Sequence, residues 1–319
     1  MPVDLLSMGE PMLEFSLQPV GTDGRRLYLE GHGGDTSNAA IAAARAGARV
    51  GYITAVGQDP AGDSFLALWQ REGVDTSCVF RDPENPTASY FVTQTPKGHE
   101  FLYYRANSAA SRFGPERVPV AAIAAARIFY ASGISQAISA AAADAVFLAI
   151  DTARAHGVRV AYDTNYRPRL WPARRAAAVI HAAIAQADIA LPSLDDAMLL
   201  TGIERPDDLL DFYLRLGPRI VALKMGANGT YLATPERRWR IPPFPCVPVD
   251  CTGAGDTFCG SFLARLLAGD APEQAARYAA CAAALMTEGY GGVAPIPGAA
   301  RVWQALAAVR PQASETQAQ

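Results

Sequence analysis

Short apolar segments alternate with alanine-rich segments of helical spacing through the middle of the chain. The apolar segments are typical of buried strands and cover residues 127–130, 158–163, 187–191 and 219–224. Helical spacing is clearest over 140–155 and 174–185. This alternation is typical of right-handed β-α-β units, which build a parallel sheet with helices on both faces. The pattern therefore predicts a doubly wound, mainly parallel α/β protein.

The first third of the chain continues this rhythm and adds a hairpin. A strand ending at Gly9 is followed by a helix, a strand and a helix, at residues 36–46, 51–57 and 63–72. Between residues 89 and 105, aromatic and polar side chains mix on both sides of Pro96-Lys97-Gly98, which is typical of an antiparallel hairpin. We expect segments of about 11–33 and 86–106 to form a small β-sheet lid.

The chain closes with apolar helical patterns at residues 254–267, 272–286 and 298–309. A strand-like run with prolines, residues 244–249, leads into the first of them. The last residues, 311–319, are polar and are expected to be a disordered tail. We therefore expect one α/β domain over residues 1–310, with the lid as an excursion from it.

Composition supports a large-core globular protein and narrows its partners. Half of the 319 residues are hydrophobic and 18% are charged, which excludes disorder as the global state. The net charge is −3 and no Lys/Arg stripe is present, which argues against a nucleic-acid partner. The short basic cluster of Arg237, Arg238 and Arg240 is expected at the solvated turn of a hairpin.

The cellular location of the protein is predicted from its apolar runs, its first residues and its cysteines. No apolar run reaches the roughly 18 residues of a membrane span, and Asp4 stands where a signal peptide would carry basic residues. The five cysteines form no C-x-x-C pair and do not cluster with the four histidines, which argues against a zinc site. We expect a cytoplasmic protein with reduced thiols and no membrane contact.

A glycine-rich segment at residues 250–260, Asp-Cys-Thr-Gly-Ala-Gly-Asp-Thr-Phe-Cys-Gly, carries the sharpest chemical signal. Gly253, Ala254 and Gly255 stand at a helix start, where free N–H groups and the helix dipole favour an anion. Asp256 falls in the first helical turn, placed to accept a hydroxyl proton beside a bound phosphoryl group. An acid there can also merely complement the helix dipole. The density of glycines favours the chemical role.

Other nucleotide motifs are missing from the sequence. A G-x-G-x-x-G fingerprint does not follow the first strand, where Gly9 is succeeded by Glu10-Pro11. A Walker G-x-x-x-x-G-K-[ST] motif is also absent. Both observations argue against a nicotinamide-dependent enzyme and a P-loop ATPase.

The glycine-rich segment resembles the C-terminal signature of the ribokinase (PfkB) family of sugar kinases. Further resemblance lies in Gly33-Gly34-Asp35-Thr36-Ser37-Asn38, in Gly57-Gln58-Asp59 after its strand, and in Lys224-Met225-Gly226-Ala227-Asn228-Gly229. The resemblance covers essentially the whole chain, from about residue 4 to about residue 303. The resemblance implies a ribokinase-like fold, ATP as phosphoryl donor and Mg²⁺ as cofactor.

Within that family the chain is similar to kinases of 2-keto-3-deoxygluconate. The similarity lies in Gly9-Glu10-Pro11 and in residues 101–105, 108–111, 132–135 and 163–171. It implies phosphorylation of this sugar acid to 2-keto-3-deoxy-6-phosphogluconate. The acid carries a carboxylate, and Arg105 and Arg167 offer the bidentate, permanently charged groups that recognise one. Arg105 could instead be a solvated strand residue, and Arg167 a surface ion-pair former.

The resemblance also implies roles for individual residues. Gly34 and Asn38 would hold sugar hydroxyls, while Tyr90, Tyr103 and Arg105 would close over the substrate from the lid. Asn165 and Arg167 would lie between the substrate and the nucleotide phosphates. The ATP site would be lined by Ser193, Lys224, Gly226 and Gly229. The transferring phosphoryl group would meet an anion hole formed by Gly253, Ala254 and Gly255, with Asp256 as base.

Departures from the family pattern leave the metal sites open. The common Asn-x-x-Glu appears here as Ser193-Leu194-Asp195-Asp196, so Asp196 would act on Mg²⁺ through water from a shorter side chain. Asp250 and Thr252 match positions that bind a monovalent cation such as K⁺ in relatives.

Several functions remain open on sequence grounds. A fructokinase or other neutral-sugar kinase, and a nucleoside kinase, share the fold, and a non-catalytic sugar-acid sensor could be built on it. An exposed aromatic lid would also favour a homo-oligomer that pairs through it.

Overall fold

The computed structural model of the protein describes residues 3–18, 24–95 and 98–309. The expected tail at 311–319 and the Pro96-Lys97 turn of the expected hairpin lie outside the described residues. The extent of the domain and its tail therefore stay predictions.

The strands are described first because they place the chemistry. In chain order they are β1 (Leu5–Met8), β2 (Met12–Leu17), β3 (Tyr28–Gly33), β4 (Val50–Gly57), β5 (Val79–Asp82), β6 (Ala88–Thr95), β7 (Gly98–Tyr104), β8 (Ile128–Ser132), β9 (Arg159–Asp163), β10 (Ile189–Ala190), β11 (Ile220–Lys224), β12 (Thr230–Ala233) and β13 (Arg238–Ile241).

In the described part of the chain, nine strands form one sheet in the order β13-β12-β11-β10-β9-β8-β1-β4-β5. From β11 to β5 every neighbouring pair is parallel, and only β12 and β13 at one edge are antiparallel. The expectation of a mainly parallel sheet is confirmed. The hairpin expected around Arg237 is present as β12 and β13, but its place at the edge of the main sheet was not predicted.

Helices cover both faces of this sheet. They are α1 (Asp35–Arg45), α2 (Pro60–Arg71), α3 (Val120–Ala125), α4 (Gly133–Ala137), α5 (Ala140–Ala155), α6 (Ala173–Ile184), α7 (Leu194–Thr201), α8 (Pro206–Leu216), α9 (Ala254–Leu267), α10 (Pro272–Met286) and α11 (Ala299–Ala308).

Neighbouring residues of one strand enter different hydrophobic cores. Leu5 of β1 packs into a core with α1, α2, α9 and α10, whereas Leu6 packs into a core with α5, α6 and α8. Because successive strand residues point to opposite faces, a sheet covered on both sides needs apolar residues at every position. The continuous apolar strands thus have a direct structural cause, and the doubly wound architecture is confirmed.

A second, smaller sheet has the order β3-β2-β6-β7 within the described residues. The β6–β7 and β2–β3 pairs are antiparallel, while β2 and β6 pair in parallel from Met12–Ala88 to Ser16–Val92. This small sheet, which we call the lid sheet, is separate from the main one. Its action as a lid is a prediction.

Helices α1 and α9 approach each other closely, and this contact positions the site. A Cβ on Gly260 would collide with the backbone carbonyl oxygen of Ala39, so only glycine permits this spacing. The N-termini of the two helices consequently lie beside the carboxyl ends of the parallel strands. Doubly wound sheets bind ligands at that edge.

Two local predictions were wrong. Residues 244–249 are not a strand, because Pro245 and Pro248 lack the N–H that a ladder requires. Of the basic cluster, only Arg237 lies in a turn. Arg238 and Arg240 lie on β13, where Arg238 pairs with Asp207 at 2.9 Å, because an edge strand carries charge on its solvent side.

Candidate active site

The candidate site begins at the start of α9, where the sequence predicts an anion hole. Gly253 is the residue before the helix and has a left-handed φ of 78°, and a Cβ there would lie 2.8 Å from Cε of Met286. The N–H of Ala254 donates to the carbonyl of Cys251, and that of Thr257 donates to Gly253. Among the described residues, the N–H groups of Gly253 and Gly255 have no such partner. Of the three predicted anion-hole amides, those of Gly253 and Gly255 are therefore free to bind an anion, whereas that of Ala254 is already engaged.

Asp256 follows these amides in the first turn of α9 and is half-buried. Its Oδ2 accepts a hydrogen bond of 2.9 Å from the side-chain amide of Asn38 on α1. Burial, together with the negative charge of Asp35, raises the pKa of Asp256 to about 7. Such a carboxyl group can accept a proton near neutral pH.

Lys224, at the carboxyl end of β11, supplies positive charge beside the anion hole. Its Nζ would lie 3.7 Å from a Cβ on Gly255, and it pairs with Oδ2 of Asp163 at 2.7 Å. The thiol of Cys259 lies 3.3 Å from both partners. Burial disfavours the ammonium, but the charge of Asp163 outweighs it and raises the pKa of Lys224. The lysine is therefore cationic where a phosphate would bind.

Asn165 lies between these groups and α1. Its Nδ2 donates to Oδ2 of Asp35 at 2.8 Å, and its backbone N–H donates to Oδ1 of Asp163 at 3.3 Å. Its φ of 29° is unusual for a residue other than glycine. Asp35 also accepts a hydrogen bond from the hydroxyl of Ser132.

Gly34, predicted to hold a sugar hydroxyl, links the end of β3 to the start of α1. Its φ is 110°, and a Cβ would collide with the backbone of Glu10 and Pro11. Only glycine therefore lets the start of α1 lie this close to the segment that follows β1. Asn38, one turn along α1, is buried, and its Oδ1 has no hydrogen-bond partner among the described residues.

The lid sheet brings Tyr90 and Tyr103 together, with ring centroids 5.7 Å apart. The hydroxyl of Tyr90 donates to the carboxylate of Glu14, which is buried within the same sheet. Tyr103 is 39% exposed. Of the two phenols, Tyr103 has the more accessible ring, whereas the proton of Tyr90 is already engaged.

The two arginines have different surroundings. Arg105 pairs with Glu10, a fully buried carboxylate that also accepts from the hydroxyl of Ser108 at 2.9 Å. Burial raises the pKa of Glu10, although Arg105 acts to lower it. Arg167 is exposed and donates to the carbonyl of Tyr166 at 3.0 Å. Of the two, Arg167 is the one with no carboxylate partner among the described residues.

The other residues predicted to line the ATP site are Ser193, Gly226 and Gly229. Ser193 caps α7 by accepting from the N–H of Asp196 at 3.3 Å, and it forms an isolated parallel bridge with Lys224. Gly226 is exposed and Gly229 is buried, in the turn between β11 and β12.

The two expected metal positions are separate. Oδ2 of Asp196 accepts from the N–H of Tyr166 at 3.1 Å and the hydroxyl of Thr164 at 3.3 Å. Burial and the charge of Asp163 raise the pKa of Asp196. Asp250 accepts from the hydroxyl of Thr252 at 2.7 Å and from the N–H of Gly291 at 3.0 Å, and so it organises the loop before the anion hole.

Sequence reasoning named none of Glu10, Glu14, Asp35 and Asp163 as a functional residue. All four are buried carboxylates that hold a predicted site residue. A usable signal existed for two of them, since Glu10 and Asp163 stand at or just after the carboxyl ends of predicted parallel strands.

A family model described as pfkB family carbohydrate kinase matches residues 25–299. The chain belongs to this family. It is 34% identical to a 2-dehydro-3-deoxygluconokinase of Thermoproteus tenax, over 89% of this chain and 88% of that protein. It is 31% identical to the enzyme of the same name from Bacillus subtilis (strain 168), over 97% of both chains. A probable fructokinase-4 of Arabidopsis thaliana is 28% identical over 82% of each.

Solved structures agree with this membership of the pfkB family. A PfkB protein from Polaromonas sp. JS666 is 30% identical with a TM-score of 0.85, covering 95% of this chain and 99% of that one. A fructokinase with bound ATP from Xylella fastidiosa is 25% identical with a TM-score of 0.87, covering 95% and 98%. The protein is thus a carbohydrate kinase.

Two expectations about the molecule's surroundings can be compared with the structure. The five cysteines, all within the described residues, are free thiols. Within the described ranges, no helix is both long and apolar enough to cross a membrane.

Proposed function

We propose that this pfkB-family kinase phosphorylates the 6-hydroxyl of 2-keto-3-deoxygluconate (2-dehydro-3-deoxygluconate), with ATP as donor, to give 2-keto-3-deoxy-6-phosphogluconate. The observation that carries the proposal is the arrangement at α9, where free amides, the ammonium of Lys224 and the carboxyl of Asp256 converge. The names of the two 2-dehydro-3-deoxygluconokinase relatives support the choice of sugar.

Asp256 acts as the base in this proposal. It accepts the proton of the 6-hydroxyl as the hydroxyl oxygen forms its bond to the γ-phosphorus and the bond to the bridging β-γ oxygen breaks, releasing ADP. Asn38 holds the carboxylate through its 2.9 Å hydrogen bond and so orients it. The amides of Gly253 and Gly255 and the charge of Lys224 stabilise negative charge on the transferring group.

The residues present fit a Mg²⁺ ion carried in with ATP. When bound, Mg²⁺ neutralises phosphate charge and needs only one or two protein carboxylates besides phosphate and water. Oδ1 of Asp196 has no hydrogen-bond partner among the described residues, so it is available to a metal-bound water. The hydroxyl of Thr164 and the N–H of Tyr166 hold this side chain in place by donating to its Oδ2.

Recognition of the sugar carboxylate is assigned chiefly to Arg167. Arg105 shares its charge with Glu10 and therefore contributes hydrogen-bond donors more than net charge. Tyr90, Tyr103 and Gly34 complete the sugar side, with the lid sheet closing over it and excluding water from the phosphates. Ser193, Gly226 and Gly229 belong to the nucleotide side.

A neutral sugar is the second candidate substrate, and the Glu10–Arg105 pair is the observation that favours it. A guanidinium already neutralised by a buried carboxylate is a poorer anchor for an anion. The fructokinase similarity points the same way. A nucleoside kinase and a non-catalytic sensor remain further alternatives on fold alone.

Three subsidiary proposals accompany this function. The first is that the loop of Asp250 and Thr252 binds K⁺. Comparing the kinase activity in potassium salts with that in sodium salts tests this.

The second is that the protein works in the cytoplasm, where ATP is available, and fractionation of cells tests this. The third is that two copies pair through the face of the lid sheet that Tyr28, Leu102 and Tyr104 share, where all three are exposed, and the mass measured by light scattering tests this.

The direct test of the chemistry is Asp256→Asn. The amide cannot accept the proton, so kcat should fall by about 10³-fold or more while ATP binding stays close to wild type. The matched control is Asp208→Asn, which removes a first-turn acid from α8, outside the site. If both variants keep wild-type kcat, Asp256 only complements the helix dipole and the assigned base is wrong.

A further inference from the structure

Asp35 is a buried carboxylate with no part in the chemistry described so far. It is 7% exposed and lies in the first turn of α1, between Gly34 and Asn38. Its Oδ2 accepts hydrogen bonds from Ser132 at the end of β8 and from Nδ2 of Asn165 beyond β9. Its Oδ1 is fully enclosed and has no partner among the described residues. Both of these hydrogen bonds therefore go to one oxygen of the carboxylate.

The hydrogen bond to Asp35 supports an unfavourable backbone conformation at Asn165. Its backbone is in the left-handed region, which L-residues other than glycine avoid and asparagine tolerates best. Two buried acids hold it from opposite sides, because Asp35 takes its side-chain amide and Asp163 takes its backbone N–H. A residue held in this way relaxes when one of the two contacts is removed.

The connection continues from Asn165 to the anion hole. The same Asp163 that accepts from Asn165 through Oδ1 pairs with Lys224 through Oδ2. Lys224 in turn lies beside Gly255. A continuous path of hydrogen bonds and one ion pair thus joins the sugar-side helix α1 to the phosphate-side helix α9.

We propose that Asp35 is a positioning residue for phosphoryl transfer, which holds Asn165 in its left-handed conformation and thereby places Asp163 and Lys224 at the anion hole. This inference rests on the proposed role of the α9 start in binding the transferring phosphoryl group. It assigns Asp35 no contact with the sugar. Its effect should fall on kcat rather than on the KM of the sugar.

Other charged and titratable groups around Asp35 set the electrostatic background against which it acts. Those that interact with Asp35 or Asp256 are Glu10, Tyr52, Tyr90, Tyr130, Tyr162, Asp163, Arg167, Lys224 and Cys259. Because a mutation of Asp35 changes this field as well as the hydrogen bond, one variant alone does not separate the two effects.

A double-mutant cycle separates them. Glycine adopts the left-handed backbone without strain, so Asn165→Gly removes both the strain and the side-chain hydrogen bond. We expect Asp35→Ala to lower kcat by about 10- to 100-fold in the wild-type background. In the Asn165→Gly background the same change should lower kcat less than threefold, because its partner is gone. Additive effects would overturn the proposal, since Asp35 would then act on Asp256 or on the substrate directly.

Asp35→Asn is the conservative variant, and it also covers failure of Asp35→Ala to fold. Its carboxamide oxygen can take the place of Oδ2, and its nitrogen the place of the unpartnered Oδ1. We expect Asp35→Asn to keep kcat within about threefold of wild type, and a loss above tenfold would show that the charge, not the hydrogen bond, matters. Thermal melting of each variant checks folding.

The cycle is measured with ATP and whichever sugar the wild-type protein phosphorylates. A different preferred sugar would contradict the proposed substrate while leaving this inference testable. An unchanged kcat in folded Asp35→Ala would overturn the inference while leaving the proposed function intact.

Discussion

At the residue scale, the ionisation of Asp256 dominates the account. Its carboxyl lies close to a second acid, Asp35, and forms no ion pair with Lys224, which is paired with Asp163. Desolvation and repulsion by Asp35 both favour the protonated form. In its proposed role as base Asp256 must be ionised, and a pKa of about 7 places that ionisation near neutral pH.

This ionisation predicts a pH dependence. With a pKa of about 7, Asp256 is mostly protonated at pH 6 and mostly ionised at pH 8. The value of kcat/KM for the sugar, measured at saturating MgATP, should therefore rise with pH through about 7. A profile already flat from pH 5 to pH 8 would contradict an elevated pKa at the base.

Arg167 gives a second prediction at this scale. Because it is exposed and free of a carboxylate partner among the described residues, Arg167→Ala should raise KM for 2-keto-3-deoxygluconate by about 10- to 100-fold. The value of kcat should change little, because the lost contact is equally strong in the ground and transition states. Arg175→Ala, an exposed arginine of α6, is the matched control. Equal KM values for both variants would remove Arg167 from the carboxylate site.

At the element scale, the lid strand β3 carries glycines that differ in their surroundings. A Cβ on Gly33 would lie 2.6 Å from the hydroxyl of Tyr90, whereas a Cβ on Gly31 would meet Glu14 at an ordinary 3.5 Å. Neither glycine has a left-handed φ, so alanine is tolerated by the backbone at both. The two positions thus form a matched pair on one strand.

We expect Gly33→Ala to displace Tyr90 and raise KM for the sugar by about tenfold, while Gly31→Ala stays near wild type. Adding Tyr90→Phe to Gly33→Ala removes the colliding hydroxyl and should recover thermal stability without recovering KM. Steady-state kinetics and melting curves provide the readouts. Equal KM values for the two alanine variants would place Tyr90 outside the sugar site.

Elements also show how far the sequence carries prediction. The bounds of α5, α9 and α10 were predicted correctly, because each is a long segment with apolar residues at helical spacing. The strand β3 was not predicted as such, because Tyr28–Gly33 holds two glycines and owes its strand form to pairing with β2. The strand predicted over residues 244–249 was wrong, because the prolines among its apolar residues cannot donate to a sheet.

At the scale of the whole molecule, the site is assembled from distant parts of the chain. Asn38 and Asp256 are 218 positions apart and share a hydrogen bond. Motifs predict that both belong to a site, but the bond depends on the close packing of α1 on α9 at Gly260. The buried acids Glu10, Asp35 and Asp163 are further cases, because their partners come from other elements and no local pattern reveals which residues those partners are.

The account's central claim is that this assembly phosphorylates a sugar acid. The most direct test is a coupled ADP-release assay with ATP and Mg²⁺, comparing 2-keto-3-deoxygluconate with fructose and ribose at equal concentration. We predict kcat/KM for the sugar acid to exceed the values for both neutral sugars by at least tenfold. Preference for fructose or ribose would contradict the assigned substrate, and no turnover of any of the three would contradict the account as a whole.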